Sequence, residues 1–361
     1  LVPDPSTTIV VNCAGRTRSI IGAQTLIDIG VPNPVFALEN GTQGWFLAGL
    51  ELERGAGRRH GTALPSPERL AVIAARARSL AEARSVGFVD AGEVAAWLGE
   101  SGRTTFVLDV RSTEEFAAGA AAICASAPGG QLIQATDQWV GVKGARLVLV
   151  DDDGVRAPMT AQWLRQLGHE AYVLDGGVTA AKGLSRRVAA PTLKALDLPS
   201  IGASDLAAAL GSVDVVDVRS STAYRAGHIM GAVWSIRPHL PDALPTDRAR
   251  PIVVAGEAGG AARLAAADAV DLGYGDVRLL EGGPASWTAA GIGMVATPRE
   301  PADAACIDYL FFVHDRHDGN ADAARQYLAW EVGLLEQLDA AERGIFRVAG
   351  HKRIAPGARL P

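Results

Sequence analysis

Two stretches of this chain, 108 positions apart, read almost alike. They are FVLDVRSTEEF, with Asp109 and Arg111, and DVVDVRSSTAY, with Asp217 and Arg219. Each is an apolar run that ends in Asp-Val-Arg and enters a polar helix start. Three more stretches, FALENGTQGW, YVLDGGVTAA and RLLEGGPASW, end an apolar run at an acidic residue followed by a glycine turn. These turns are Glu39 to Gly41, Asp175 to Gly177 and Glu281 to Gly283, and the first and last coincide at an offset of 242, Trp45 with Trp287 included. Short apolar strands match one another by chance, but here the order of elements between the matches is kept as well. The chain therefore folds as copies of one unit.

Within each copy, short β-branched runs alternate with Ala-rich helical stretches, the pattern of parallel strands joined by helical crossovers in an α/β fold. The second copy predicts strand 105–110, a helix capped at Ser112, strand 146–150, helix 156–167 and strand 171–174. The third repeats this with 213–218, 251–255, 260–272 and 276–280. The first is incomplete: it has strand 8–12, a helix over 17–30 and strand 35–38, without the Asp-Val-Arg half. The domain plan is thus a half unit at 1–54, a linker and helix at 55–86, whole units at 87–190 and 197–298, and a helical tail at 299–361. In the linker, Ser66 caps a helix with Pro67 at its first position, and Leu70, Ile73 and Leu80 form its apolar side. The turn-rich ATPREPADAA opens the tail, which predicts an amphipathic helix over 321–343 with Tyr327, Leu328, Trp330, Leu334, Leu335 and Leu338. Those side chains are expected to cover apolar surface. The chain opens on Leu1 rather than Met, which points to an N-terminally incomplete protein. A half unit would expose a sheet edge and part of its core, which is expected either to destabilise the loop or to cause pairing with another copy as a homo-oligomer.

Composition removes several classes. A chain of 361 residues that is 48% hydrophobic and 20% charged has ample core and is not disordered. Charged residues interrupt every apolar stretch before about 18 residues, which excludes a membrane helix. With 34 basic and 40 acidic residues the net charge of -6 argues against a nucleic-acid partner. Three cysteines build no disulfide framework, and no CxxC pair exists for zinc. The absence of a signal-peptide pattern implies a cytoplasmic protein.

Chemistry concentrates in IVVNCAGRTRSIIGAQTL. An apolar strand delivers Cys13, and Ala14, Gly15, Arg16, Thr17 and Arg18 follow before a helix begins near Ser19. In such a strand–loop–helix, successive backbone N–H groups and a helix N-terminus converge on one small volume. That cradle favours thiolate over thiol, and two arginines add planar donors for an oxyanion. Cys13 so placed is a nucleophile. A structural cysteine at a strand end, the alternative, needs neither the glycine loop nor paired arginines. Cys124 and Cys306 lack basic neighbours and read as structural.

Asp-Val-Arg after a strand, then GHIMGAV at Gly227 to Val233, then a strand–loop–helix and an acid-Gly-Gly turn together resemble the rhodanese sulfurtransferase family. The resemblance runs from residue 1 to about 298, as one half module and two whole ones. It implies tandem modules, each a mainly parallel sheet flanked by helices. It implies that CAGRTRS is the catalytic loop, with Cys13 carrying sulfur as a persulfide and Ala14 to Ser19 binding a small anionic donor. A thiol or cyanide would be the acceptor, with no cofactor and no metal. Arg16 and Arg18 suit dianionic thiosulfate better than mercaptopyruvate. Aligning the loops places Asp151 where Cys13 stands, Arg156 at Arg18, and, by the 242 offset, Ala255 in the third copy. The second copy also departs at Ala120, where the third has His228. Both whole modules are then catalytically inactive, which leaves a rhodanese-repeat scaffold or regulatory protein as the competing reading. Cell-cycle phosphatases share the fold, but their loop places five residues between Cys and Arg, and here only Ala14 to Thr17 intervene.

Two polar clusters have plainer explanations. His314, Asp315, His317 and Asp318 have ligand chemistry, yet a polar turn before a helix accounts for them without metal. Arg58, Arg59 and His60 read as a solvated loop.

Overall fold

The computed structural model describes residues 2–55, 57, 65–185, 198–257, 260–316 and 319–348. The chain divides into two compact units, residues 1–190 with 324–361, and residues 191–323.

The first unit opens with β1 (Ile9–Val11), α1 (Thr17–Asp28), β2 (Val35–Ala37), α2 (Gly41–Leu47) and α3 (Pro67–Ala83). Then come β3 (Gly87–Val89), α4 (Ala91–Leu98), β4 (Thr105–Asp109), α5 (Thr113–Gly119), β5 (Ala125–Ser126) and α6 (Gly129–Gln134). The second repeat closes with β6 (Arg146–Val150), α7 (Arg156–Gln166), β7 (Glu170–Leu174) and α8 (Gly177–Ala181). Its sheet is five-stranded and parallel, in the order β3-β7-β6-β4-β5. Leu147 and Leu149 point into one apolar cluster and Val148 and Val150 into the other, all with no exposed surface. A parallel strand covered by helices on both faces has to be apolar throughout, which is why RLVLV does not alternate.

The first repeat is half of that arrangement. β1 pairs in parallel with β2 alone, in the register Ile9 to Val35, Val10 to Phe36 and Val11 to Ala37. Helix α1 packs on this pair. The cross-strand neighbours Val10 and Phe36 remain 55% and 59% exposed, so one face of the pair is open. Helix α3 starts as expected: Ser66 Oγ accepts from the Arg69 N–H, and Pro67 leads the first turn. Its packing face differs from the expectation, because Ala77 and Ala81 are the buried residues and Ile73 is 38% exposed. Small alanines allow the backbone of α3 to come close to α7, and the larger side chain turns outward to line an apolar groove with Leu26 and Val72.

The second unit contains β8 (Ser200–Ile201), α9 (Ala203–Ala209), β9 (Asp214–Asp217), α10 (Ser221–Ala226), β10 (His228–Ile229) and β11 (Val233–Trp234). It continues with α11 (Leu240–Ala243), β12 (Ile252–Ala255), α12 (Gly260–Asp271), β13 (Val277–Leu280), α13 (Pro284–Ala289), β14 (Met294–Val295) and α14 (Phe311–Asp315). The parallel sheet β11-β9-β12-β13-β8 repeats the order of the first unit. Val253 and Ala255 serve one core, Ile252 and Val254 the other. The Asp-Val-Arg motif is structural in both sheets. Arg111 donates to Asp109 at 2.7 Å and to the Gly119 carbonyl at 3.2 Å; Arg219 donates to Asp217 at 2.6 Å and to the Gly227 carbonyl at 2.7 Å. Each arginine thereby ties a strand end to the end of the following helix.

The tail forms α15 (Ala321–Gln337) and α16 (Ala340–Arg343), not one helix over 321–343. Asp339 breaks it by capping: its carboxylate accepts from the Glu342 N–H while Glu342 accepts from the Asp339 N–H. Trp330, Leu334 and Leu335 are 36%, 37% and 72% exposed, so they do not cover apolar surface as expected; Tyr327 is buried.

Candidate active site

Strand register aligns the three loops without reference to side chains. Val11 pairs with Ala37, Leu149 with Val173 and Val254 with Leu279, and in each repeat the last glycine of the turn lies four residues further on. Two residues past Val11, Leu149 and Val254 stand Cys13, Asp151 and Gly256. The third position is therefore Gly256 and not Ala255, which is the last residue of β12, fully buried and paired with Asp217 as Val150 is with Asp109. The 242 offset holds at the turn and fails at the loop, because the first repeat carries one more residue between them.

The glycine turn holds the loop. Gly41 has φ +56°, and a Cβ there would lie 2.1 Å from the Cys13 carbonyl oxygen. With no side chain in the way, the Thr42 N–H reaches that oxygen at 3.0 Å and the Gln43 N–H reaches the Ala14 oxygen at 3.1 Å. Gly177, with φ +52°, lies equally close to the Asp151 carbonyl, which accepts from the Val178 N–H at 2.9 Å. The same clamp thus seats Cys13 and Asp151.

Cys13 is half-buried, whereas Cys124 and Cys306 are buried. Its thiol donates to Ser19 Oγ at 3.4 Å, and the Ser19 hydroxyl donates to the Arg16 carbonyl at 2.9 Å. Among the described residues neither Arg16 nor Arg18 has a carboxylate partner. Arg18 lines a cavity of about 430 Å³ with Arg111, Arg156, Met159 and Trp163, whose lining does not include Cys13. Helix α15 adds two loop neighbours that sequence reading did not assign to the site. The Thr17 hydroxyl donates to Glu331 Oε1 at 2.5 Å, and Tyr327 packs on Gly15. Their i, i+4 spacing was the available signal, but it identifies a shared helix face and not what that face meets.

The Asp151 loop binds an anion of its own. The Asp151 carboxylate accepts from the backbone N–H groups of Gly154 at 3.1 Å and Ala157 at 2.8 Å. Arg156 is fully engaged, by Glu115 at 2.6 Å and by Asp152 and Asp153 at 2.7 Å each. Helix α3 lies beside this loop, where Arg78 donates to Asp175 at 2.9 Å and shares a cavity of about 440 Å³ with Asp151 and Gly176. Burial pushes the Asp151 carboxyl up from 3.8 to about 6, with the neighbouring Asp153 charge acting in the same direction and the two N–H groups opposing. A folded-state value above the unfolded one means that this residue's contribution to stability is complete below about pH 3.8 and lost as pH rises through about 6. The urea midpoint should carry this fall between those values, and Asp151→Asn should flatten it; an unchanged slope in the variant would exclude Asp151 as its source.

The remaining candidates are not brought to Cys13. Burial pushes the Cys124 thiol up to about 12, with the Asp109 charge adding to it, so it is unreactive near neutrality. Cys306 donates to the Ala302 carbonyl at 3.4 Å. His228 is buried, stacked on Tyr224 with its Nδ1 2.9 Å from the Tyr224 carbonyl oxygen. His314 stacks on Tyr309, while His317, Asp318, Arg58, Arg59 and His60 lie outside the described residues. Among the described residues no three His, Cys, Asp or Glu side chains come together as a metal site, and no helix is long and apolar enough to cross a membrane.

Paired parallel sheets, a loop that follows the central strand, and a glycine turn clamped to it are the parts of one family of modules. A family model described as the rhodanese-like domain matches residues 90–183 and 202–290, half of the chain, and the chain belongs to that family. A thiosulfate sulfurtransferase from Pseudomonas aeruginosa is similar in structure, with 42% identity and a TM-score of 0.70. That match covers 96% of this chain and 66% of the other, so the present chain spans just under two thirds of its relative's length. The Alr3790 protein from Anabaena sp. matches at 27% identity and a TM-score of 0.25, over 27% of this chain and 92% of its own. A rhodanese-related protein from Thermoplasma volcanium matches at 26% identity and a TM-score of 0.24, over 27% of this chain and 97% of its own. A comparison with curated proteins returned no match. The family model's two segments are the second and third repeats; the Cys13 loop lies outside both.

Proposed function

We propose that this chain is a sulfurtransferase that takes a sulfane sulfur from thiosulfate, or a similar small anionic donor, onto Cys13 and passes it to a thiol or cyanide. The observation that carries this reading is the equivalence of Cys13 and Asp151 by register and by their shared clamp. The Asp151 loop holds an anionic oxygen on the N–H groups of Gly154 and Ala157. Counting along the loop, Arg16 and Ser19 occupy the same places around Cys13. The N–H groups at these places oppose the cost of burying a carboxylate at Asp151 and would act in the same way on a thiolate or a persulfide at Cys13. Arg16 and Arg18, neither with a carboxylate partner among the described residues, add positive charge to the loop. Similarity to a thiosulfate sulfurtransferase along 96% of the chain supports the same reading.

The reaction runs in two displacements. The Cys13 thiolate attacks the outer sulfur of thiosulfate; a Cys–S bond to that sulfur forms, the S–SO₃ bond breaks, and sulfite leaves with the electron pair. The acceptor's electron pair then attacks the outer sulfur of the persulfide, which returns the thiolate. Cyanide leaves as thiocyanate. Ser19, within hydrogen-bond reach of the thiol, orients the sulfur. In this reading the second and third repeats are non-catalytic interaction modules, since a carboxylate and a glycine carry no nucleophile for sulfur.

Intact-mass and peptide mapping test the proposal. Thiosulfate treatment should add about 32 Da to the peptide that contains Cys13, and cyanide should remove it. A chain that stays at its starting mass at Cys13 would overturn it.

A further inference from the structure

Helix α15 sets two side chains, one turn apart, on the loop of Cys13. Both meet Gly15: a Cβ on that residue would lie 3.4 Å from Glu331 Oε2 and 3.4 Å from the Tyr327 ring. Glu331 Oε1 accepts from the Thr17 hydroxyl at 2.5 Å. Its second oxygen, Oε2, is out of contact with solvent and has no hydrogen-bond partner among the described residues. Among the described residues no cation pairs with this carboxylate, so its charge acts on the loop that it touches.

The other loop of this unit provides a contrast. Its covering helix α3 brings a cation, Arg78, to the acidic turn residue Asp175. Helix α15 brings a carboxylate to a loop that holds Arg16 and Arg18. Each covering helix thus sets a side chain of opposite charge beside its loop or turn.

We propose that Glu331 is a specificity-determining residue that lowers the preference of the Cys13 loop for doubly charged over singly charged sulfur donors. The proposal rests on the sulfur-transfer reading of Cys13 above. Arg16 and Arg18 attract any anionic donor, and Glu331 repels it. Both energies scale with the donor's charge, so the carboxylate penalises a dianion twice as much as a monoanion. Buried Tyr327 fixes the helix on Gly15, which holds the charge in place.

Thiosulfate and methanethiosulfonate separate charge from chemistry. Both give up a terminal sulfur to a thiolate, with sulfite or methanesulfinate leaving, but the first carries two negative charges and the second carries one. Glu331→Gln keeps an oxygen to accept the Thr17 hydroxyl and removes the charge. Its kcat/KM should rise about tenfold for thiosulfate and about threefold for methanethiosulfonate, the fold-change being exponential in donor charge. An equal change for both donors, or a fall for both, would show a merely structural role and overturn the proposal. Alkylation of Cys13 by anionic iodoacetate and neutral iodoacetamide, followed on the same peptide, provides a second readout. The iodoacetate-to-iodoacetamide rate ratio should rise about threefold in the variant, and an unchanged ratio overturns the proposal whatever the transfer assay gives. A raised ratio in a protein that never gains sulfur at Cys13 would instead defeat the persulfide reading and leave the charge selection by Glu331 standing.

Discussion

Cys13→Ser should abolish transfer of sulfur from thiosulfate to cyanide, by about a thousandfold or more, equivalent to about 4 kcal/mol of transition-state stabilisation. Serine preserves the size of the side chain and its hydrogen bond to Ser19, which sits at 3.4 Å from the sulfur. What it lacks is a sulfur nucleophile that can bond to a sulfane sulfur. Because Cys13 is half-buried and belongs to none of the four apolar core clusters, the unfolding free energy from urea denaturation should change by no more than about 0.5 kcal/mol. Thiocyanate release and the mass at Cys13 measure the first quantity and denaturation measures the second. If the variant retained a tenth of the rate, with the sulfur adduct found on Cys124 or Cys306, the assignment of the nucleophile would fall.

Asp217→Ala should be the most damaging change to stability, at about 3–5 kcal/mol, because it removes one partner of a buried ion pair and leaves the other. The Arg219 side chain is 5% exposed and Asp217 1%, with Nη2 and Oδ2 2.6 Å apart. Without the carboxylate, the guanidinium keeps, among the described residues, the Gly227 carbonyl and the face of Trp287, 5.3 Å from the ring centroid. Asp109→Ala should cost less, although it removes the matching carboxylate in the other sheet. There Arg111 retains a second acid, Asp152, at 3.0 Å. Urea midpoints of the two variants test the ordering; equal losses would mean that the rim contact to Asp152 contributes nothing.

Much of the fold was legible because its signals are local. Strand 146–150 coincides with its expected limits, and helix 156–167 ends one residue early at Gln166. Apolar runs, capping residues and glycine turns act over a few neighbouring positions, so one repeat can be read from another. The edge strands Gly87–Val89, Ala125–Ser126 and Ser200–Ile201 were not legible. Two or three residues carry no period, and such segments become strands only because a neighbouring strand offers hydrogen-bond partners. Ala255 in place of Gly256 was an error of the same origin, since an alignment anchored on a turn cannot see where pairing stops.

The candidate site divides along that line. Sequence alone determined the repeated strand–helix order and the loop from Cys13 to Ser19, because contiguous residues build both. Tertiary structure alone decided what else meets the loop. It turned Arg18 toward a cavity shared with Arg111 and Arg156, closed Gly41 onto the Cys13 carbonyl, and set Glu331 on Thr17 across 314 positions of chain. No local pattern specifies such a contact. Many helix faces compete for the same surface, and the outcome depends on the packing of the whole unit.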